Sequence, residues 1–390
     1  MKAIKVKIYP KKWQKETIEK HFGCCRVIYN YGLEQKIRTY TETKKSIGIY
    51  SIQKEIPKMY EEKPWLKEVN SQSLQQSLKD LDSAFSHFFK KNNEFPKFKS
   101  KYNTKQSFRV PQHFELSKDK KYIKIPKLKW IGFRDKFNLP KNVEFRNITI
   151  SREGNEYFAS ICYDDKKVIQ LPLPIEENKT LGIDLGVTHL AIFSNGTKIE
   201  NPKHFKKYES ELANEQQKLS KKENKETKAY QKQKLKGNKI HKKIRNTRKD
   251  FLHKLTTNIV KNQNYTSYCM EDLAVKEMEQ DNYSSMSKAI GDTGGRMLRT
   301  MMEYKCKEKG KNLIIIGRFE PSSKTCSVCG HIYKELGRDE KEWTCCKCNT
   351  IHDRDINAAM NIKNFGIIKS LGKDFVETSE SELKLEPHEL

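Results

Sequence analysis

Four cysteines carry the most specific chemical signal in the sequence. Cys326 and Cys329 are separated by two residues, fifteen residues follow, and Cys345 and Cys348 repeat the spacing. Each Cys-x-x-Cys turn points two thiolates at one ion, and two such knuckles close a tetrahedron, the donor set of a Zn²⁺ ribbon. Gly330, just after the first pair, suits a knuckle turn. Cys346 lies inside the second pair and competes as a ligand, but Cys345 and Cys348 keep the two-residue spacing. A closed four-thiolate site has no open position, so this zinc is expected to be structural rather than catalytic. The other six cysteines (24, 25, 162, 269, 306 and 346) are expected to pack as small apolar side chains.

Three carboxylates form a second set. Asp184 sits in Leu181-Gly182-Ile183-Asp184-Leu185-Gly186, where an apolar strand delivers an acid into a turn that glycine permits. Glu271 ends the strand-like run Tyr265 to Met270, and Asp355 opens the helical stretch Asp355-Ile356-Asn357-Ala358-Ala359 after the cysteines. A single strand-end aspartate is ordinarily a cap or turn residue. Three of them, in the order strand–turn–strand, strand, helix, fit an RNase H-like nuclease. There, clustered carboxylates hold two Mg²⁺ ions about 3.5–4 Å apart, which activate water and stabilise the leaving 3′ oxygen of a phosphodiester. Carboxylates held that close repel one another without a cation, and Mg²⁺ accepts such oxygen ligands while keeping several waters.

The elements that must position these groups are legible in the periodicity. Residues 1–10 alternate Lys2, Lys5 and Lys7 with Ile4, Val6 and Ile8, one strand that Pro10 stops. Trp13 to about Tyr40 reads as a helix, and Leu74, Leu78, Leu81, Phe85 and Phe88 make one apolar helical stripe that Asn92 and Asn93 end. From about 95 to 175 the pattern turns to short strands. Tyr122 to Pro126 is one, and Ile148 to Ile150 and Tyr157 to Tyr163 flank a Glu153-Gly154-Asn155 hairpin turn. Pro172, Pro174 and the acidic run after them form a linker. Beyond it lie strands 180–184 and 188–193, a turn at Asn195-Gly196, and a strand at 197–199. Residues 201–262 read as two helices broken at Gly237, followed by a helix at 295–309 and a strand at 312–316.

Charge bounds the class of partner. The 390 residues carry 77 Lys and Arg against 50 Asp and Glu, a formal +27, with 35% hydrophobic residues, enough for a core and for two or three domains. Such an excess repels itself unless a polyanion shares it, which favours nucleic acid over a membrane surface. No apolar run approaches the roughly 18–20 residues of a membrane span. The opening residues read as a strand and not as a signal peptide, so the ten cysteines are expected in a reducing compartment, where thiols bind metal rather than pair. Residues 201–262 hold 19 basic and 6 acidic residues, a net +13. Phe95, Lys97, Phe98, Lys99, Lys101, Tyr102, Phe108 and Arg109 interleave bases and rings in a manner suited to phosphate contact and base stacking. Residues 367–390, with 3 basic and 6 acidic, are expected to be a disordered tail.

Several strings together resemble the TnpB family, the OrfB-type proteins of bacterial insertion sequences and compact relatives of type V CRISPR effectors. They are Leu181-Gly182-Ile183-Asp184-Leu185-Gly186-Val187, Met270-Glu271-Asp272-Leu273, the Pro321 to Gly330 segment, and His352-Asp353-Arg354-Asp355-Ile356-Asn357-Ala358-Ala359-Met360-Asn361-Ile362. Phe22 to Asn30 and Phe95-Pro96-Lys97-Phe98-Lys99 also match, so the resemblance runs in order from residue 1 to about 366. It implies an α/β fold plus a β-barrel. Residues 1–10 and 95–175 would form a wedge-type, oligonucleotide-binding-like barrel, 11–94 an inserted helical recognition lobe, and 176–366 a RuvC nuclease domain with the ribbon inserted at 323–350.

The resemblance implies an RNA-guided DNA endonuclease, bacterial, cytoplasmic and nucleoid-associated, with one protein per RNA. It would bind a transposon-derived guide RNA (ωRNA), recognise a short transposon-adjacent motif in double-stranded target DNA, and cleave with Mg²⁺ at Asp184, Glu271 and Asp355. Asp353 is the fallback for Asp355, and Asp272 a weaker one for Glu271, since neighbours on a strand face opposite ways. Tyr50, Ser71, Gln72 and Gln75 match the motif-reading positions, with Ser and Gln where Lys and Phe occur in relatives. Lys97, Lys99, Lys101 and Arg109, and Lys242, Lys243, Arg245 and Arg248 in the basic helices, are the expected backbone contacts. Three alternatives are a catalytically silent RNA-guided regulator, which the presence of all three acids disfavours, a DNA transposase or resolvase accessory protein, and a zinc-ribbon nucleic-acid-binding protein without catalysis.

Overall fold

The computed structural model describes residues 1–103, 105–134, 139–140, 143–166, 170–224, 226–272, 284–318, 320–337, 340–371, 373–375 and 385–387. The chain divides into two compact units, Met1–Lys167 and Val168–Leu390, a little before the linker expected to separate them. No helix among the described residues is long and apolar enough to cross a membrane.

The first unit begins with β1 (Lys2–Tyr9), α1 (Lys12–Thr43), two short helices α2 (Ile49–Gln53) and α3 (Ile56–Glu62), and α4 (Ser71–Phe89). Six strands follow: β2 (Lys105–Val110), β3 (Glu115–Leu116), β4 (Tyr122–Ile125), β5 (Lys129–Phe133), β6 (Glu144–Glu153) and β7 (Glu156–Asp164). They join β1 in one antiparallel sheet of order β2-β6-β7-β1-β5-β4-β3. The sequence leads one to expect a barrel; among the described residues β2 and β3 end the sheet and do not pair with each other. Strict alternation drives the sheet: every second residue of β7 is buried, and Val6 and Ile8 of β1 enter the same core as Ile148, Ile150, Ala159 and Ile161. Ile18 and Phe22 of α1 and Leu74 and Leu78 of α4 close this core. His21, fully buried, takes the backbone N–H of Asn70 on Nε2 at 3.1 Å and so fixes the start of α4.

The second unit holds a five-stranded sheet of order β10-β9-β8-β11-β12. Its strands are β8 (Thr180–Asp184), β9 (His189–Phe193), β10 (Lys198–Glu200), β11 (Ser267–Glu271) and β12 (Asn312–Ile316). The first three form an antiparallel meander, and β8, β11 and β12 run parallel. Between β10 and β11 lie α5 (Glu209–Ser220) and α6 (Lys228–Lys261). The break expected at Gly237 is therefore misplaced: that residue lies inside α6, and the two helices are separated earlier, after Ser220 and before Lys228. Glycine inside a helix is unfavourable by only about 1 kcal/mol against alanine, whereas the Thr227 side chain accepts from the Tyr230 N–H and sets a true helix start.

α7 (Ser284–Thr293) and α8 (Gly295–Glu308) precede β12. The ribbon hairpin β13 (Glu342–Thr344) and β14 (Ile351–Asp353) leads directly into α9 (Arg354–Leu371). Alternation along β8 and β11 sorts the two faces of the sheet. Leu181, Ile183, Tyr268 and Met270 pack with Leu252 and Ile259 of α6 and Leu298 and Met302 of α8. Cys269 faces the other way and packs with Ile362 of α9. Residues 367–371, expected to begin a disordered tail, are the end of α9, and β15 (Lys373–Phe375) pairs with β16 (Leu385–Pro387). The rest of that expected tail, 372, 376–384 and 388–390, lies outside the described residues.

Candidate functional site

The strand alternation that sorts the core also places the acids. Asp184 shares the face of Gly182, and Glu271 the face of Cys269, both toward α9. Ile183 is in register with Met270, so Asp184 and Glu271 leave the carboxyl ends of adjacent parallel strands side by side. The carboxyl ends of such strands are where open α/β sheets bind ligands. Asp355 approaches from the first turn of α9.

Two glycines allow α9 to lie this low. A Cβ on Gly182 would stand 1.9 Å from the Ala359 carbonyl oxygen, and one on Gly366 would stand 2.3 Å from Cys269 Sγ.

The electrostatics follow from this convergence. Dense protein around Asp184, together with the charges of Glu271 and Asp355, pushes its carboxyl up to about 7. Burial also raises Glu271, opposed by a hydrogen bond in which Ser322 Oγ donates to Oε1 at 2.6 Å. Lys341 Nζ lies 3.6 Å from Asp355.

The two fallback acids are occupied elsewhere. Asp353 caps α9, accepting the N–H groups of Asp355 and Ile356 at 3.0 Å each. It also pairs with Lys198 at 2.5 Å, and these partners outweigh its burial and hold its carboxyl below the usual range. Asp272 points to the opposite face of the sheet and binds Arg299 of α8.

The ribbon fits zinc. Tetrahedral Zn–S bonds of about 2.3 Å place thiolates about 3.8 Å apart. Cys326 to Cys348 and Cys329 to Cys345 each measure 3.6 Å, and all four Sγ atoms lie within 4.8 Å of one another. Among the described residues, no other set of three or more His, Cys, Asp or Glu is that tight. The three acids are more widely spaced. They nevertheless offer the all-oxygen donor set of a hard cation, and mutual repulsion raises Asp184 in a way that a bound cation relieves.

The two knuckles are near copies. The N–H of Gly330 bonds the Cys326 carbonyl at 2.9 Å and that of Asn349 bonds the Cys345 carbonyl at 2.8 Å, with both residues left-handed (φ 75° and 58°). Thr350 hydrogen-bonds Cys348 and draws its thiol down to about 6. Tyr333 stacks on Trp343, and both pack with the four clustered cysteines. Cys346 corrects an expectation: it is exposed, not packed, with Sγ 3.2 Å from His331 Nε2. Cys162 is half-buried, and Cys24, Cys25, Cys269 and Cys306 are buried as expected.

Cys329→Ser is expected to abolish stoichiometric zinc, measured by metal analysis, and to lower the unfolding midpoint. Normal zinc content and stability in that variant would refute the four-cysteine site.

Three polar residues of the site were not singled out from sequence. Asn357 and Asn361 of α9 are buried, one turn apart. Asn357 accepts from the Ser327 N–H at 2.9 Å and donates to the Thr325 carbonyl at 2.7 Å. Asn361 donates to the carbonyls of Ser322 and Thr325 at 2.7 and 2.6 Å. Asparagine is a poor helix former because it competes for backbone partners, so two of them at i, i+4 inside a helix were the available signal. Ser322 left no such trace.

The remaining expected contacts fall in both units. In the first, Tyr50, Ser71 and Gln75 are exposed. Gln72 is half-buried, with Oε1 enclosed and meeting no donor. Lys97 pairs with Glu94 at 2.7 Å and Arg109 with Asp80 at 3.5 Å. The Lys99 ammonium tucks 3.8 Å over the Tyr29 ring, where desolvation lowers its pKa. Lys101 lies over Tyr102. In the second unit, Lys243 and Arg245 are exposed, Lys242 is half-buried, and Lys243 lies over Tyr208. Arg248 is corrected: its guanidinium is tied at 2.6 Å to buried Asp292, which also caps the Phe205 N–H, so it braces the fold instead of reaching a phosphate.

A protein of Streptomyces pristinaespiralis is 33% identical over 396 residues, covering 99% of this chain and 96% of its own. The chain belongs to the TnpB family. That relative is named, provisionally, an RNA-guided DNA endonuclease, as is InsQ of Escherichia coli K12, 30% identical with 100% of this chain and 98% of its own covered. Residues 160–282 match the OrfB/IS605 profile, described as "Probable transposase", and 296–362 match a "Cas12f1-like, TNB domain". Residues 1–45 match a profile described as a helix-turn-helix domain, but here they form one strand and one continuous 32-residue helix. The fold of this TnpB-family chain is also similar to the protein in a Cas12f1–sgRNA–target DNA complex, with TM-score 0.57, 16% identity, and 90% and 83% of the two chains covered.

Proposed function

We propose that the chain is an RNA-guided DNA endonuclease that binds a transposon-derived guide RNA, recognises a short adjacent motif, pairs guide with target, and hydrolyses DNA at a RuvC site. The convergence of Asp184, Glu271 and Asp355 at the carboxyl ends of β8 and β11 and the start of α9 carries this reading. In it the second unit is the RNase H-like nuclease with its zinc ribbon. The seven-stranded sheet of the first unit is the wedge element, and α1–α4 are the recognition lobe.

Asp184, Glu271 and Asp355 would hold Mg²⁺, which supplies an activated water and a Lewis acid at the leaving 3′ oxygen. The chain itself contributes placement. Parallel register aligns two acids, α9 brings the third, and Asp353 and Asp272 are held away by Lys198 and Arg299.

The net charge of +27 supplies the cradle for RNA and heteroduplex, with Lys97, Lys99, Lys101, Arg109, Lys242, Lys243 and Arg245 as backbone contacts. Base pairing reads the target sequence, and Tyr50, Ser71, Gln72 and Gln75 read the adjacent motif. One protein per RNA is the expected assembly.

The test is to sequence the RNA that co-purifies with the chain, then challenge the complex and Mg²⁺ with a plasmid library randomised beside the target. Guide-dependent cuts next to one enriched motif are expected. Binding should weaken by on the order of a thousandfold between about 50 and 200 mM salt. RNA-guided binding without cuts would leave a silent regulator, and absence of RNA would leave a transposase accessory.

A further inference from the structure

Glu271 sits at the very end of β11 on a side chain with three rotatable bonds, a weak platform for a group that must hold one orientation. A second anchor reaches it from the loop before the first zinc knuckle. Ser322 Oγ donates to Glu271 Oε1 at 2.6 Å, leaving Oε2 unengaged by this bond.

Ser322 is itself held on both sides. Its carbonyl accepts from Asn361 of α9 at 2.7 Å. Its loop is wound into a turn in which Thr325 returns both its N–H and its hydroxyl to the Pro321 carbonyl, at 3.0 and 2.8 Å. The Thr325 carbonyl accepts from Asn357 and Asn361 together, and the next residue is the zinc-binding Cys326. One six-residue loop, 322–327, therefore ties the strand carrying Glu271, the helix carrying Asp355, and the zinc knuckle into a single frame.

We propose that Ser322 is a positioning residue for Glu271, and that the zinc ribbon serves as the anchor that holds Ser322 in place. The zinc ribbon thereby orients an acid at the candidate cutting site. The inference rests on the proposed nuclease reading. Partners that fix a metal-ligating carboxylate typically matter by about 10- to 100-fold in metal affinity or activity.

The test uses the full chain with its co-purified RNA. Mn²⁺ affinity is measured by the EPR signal of free ion, in parallel with single-turnover cleavage, zinc content and target-DNA affinity. Ser322→Ala is expected to weaken Mn²⁺ binding and slow cleavage, each by about tenfold or more, with zinc content and DNA affinity unchanged. Ser322→Thr, which keeps the hydroxyl, should recover most of both losses. Wild-type Mn²⁺ affinity and rate in Ser322→Ala would overturn the proposal, as would a threonine variant no better than alanine. Asp184→Ala is run alongside. If it cleaves normally, the nuclease site itself is misassigned; if it is dead while Ser322→Ala is normal, only the positioning role fails.

Discussion

Asp184→Ala is expected to remove DNA cleavage by at least about a thousandfold, the loss that follows when several kcal/mol of transition-state stabilisation disappear, and to leave guide RNA and target DNA bound. Dense protein surrounds Asp184, and the charges of both Glu271 and Asp355 act on it. In the proposed function, binding of RNA and DNA draws on the basic surface and on base pairing, neither of which this carboxylate supports. Gel-shift and cleavage assays on one preparation separate the two quantities. Full cleavage by the variant would sink the site assignment.

The same carboxylate gives the metal-free protein a pH dependence of definite sign. Its pKa rises from 3.8 unfolded to about 7 folded, so the native state holds the extra proton across that window. Stability from this group is therefore intact below about pH 4 and falls as pH rises toward 7. Above 7 the full penalty stands, on the order of 4 kcal/mol as an upper figure. Asp184→Asn should accordingly raise the unfolding midpoint of the metal-free chain at about pH 8 and change little at about pH 4. Added Mg²⁺ should narrow the difference by stabilising the wild type. A midpoint gain of equal size at both pH values would show that burial of this charge is not the cause.

Gly182→Ala is the second large effect. The new methyl carbon would meet the Ala359 carbonyl oxygen at 1.9 Å and the Lys363 nitrogen at 2.9 Å, both backbone atoms of α9. No rotamer change relieves a clash with backbone, so β8 and α9 must separate. Overpacking ordinarily destabilises by about 1–3 kcal/mol, and a backbone collision belongs at or beyond the upper end. Separation also carries Asp355 away from Asp184 and Glu271, so cleavage should be lost together with a fall in unfolding midpoint, while zinc content stays normal.

Gly237→Ala is the matched control. That glycine lies within α6 with nothing within 4 Å of a Cβ, so alanine should stabilise by up to about 1 kcal/mol and leave cleavage intact. Equal behaviour of the two variants would refute the close-packing argument.

The sequence by itself determined which candidate metal-binding groups are present and on which local elements they sit. Cys326, Cys329, Cys345 and Cys348 are legible because knuckle turns are local, and their spacing encodes the geometry directly. The strands ending at Asp184 and Glu271 and the helix opening near Asp355 are legible because burial on one face leaves a short period in the residues. The sequence also favours Glu271 over Asp272, since neighbours on a strand face opposite ways.

Only the tertiary structure decided what lies between these elements. The register of β8 against β11 sets the two acids side by side, and register between strands 87 residues apart leaves no periodic mark. The roles of Gly182, Ser322, Asn357 and Asn361 are contacts between segments distant in sequence, each made by a residue whose type alone suggests a turn or a surface. Arg248 shows the converse. Its type and its basic helix pointed to a phosphate, and a buried aspartate 44 positions away claimed it instead. Local spacing fixes which groups are available, whereas the meeting of remote segments in a packed interior fixes which of them converge, because packing acts through space and not along the chain.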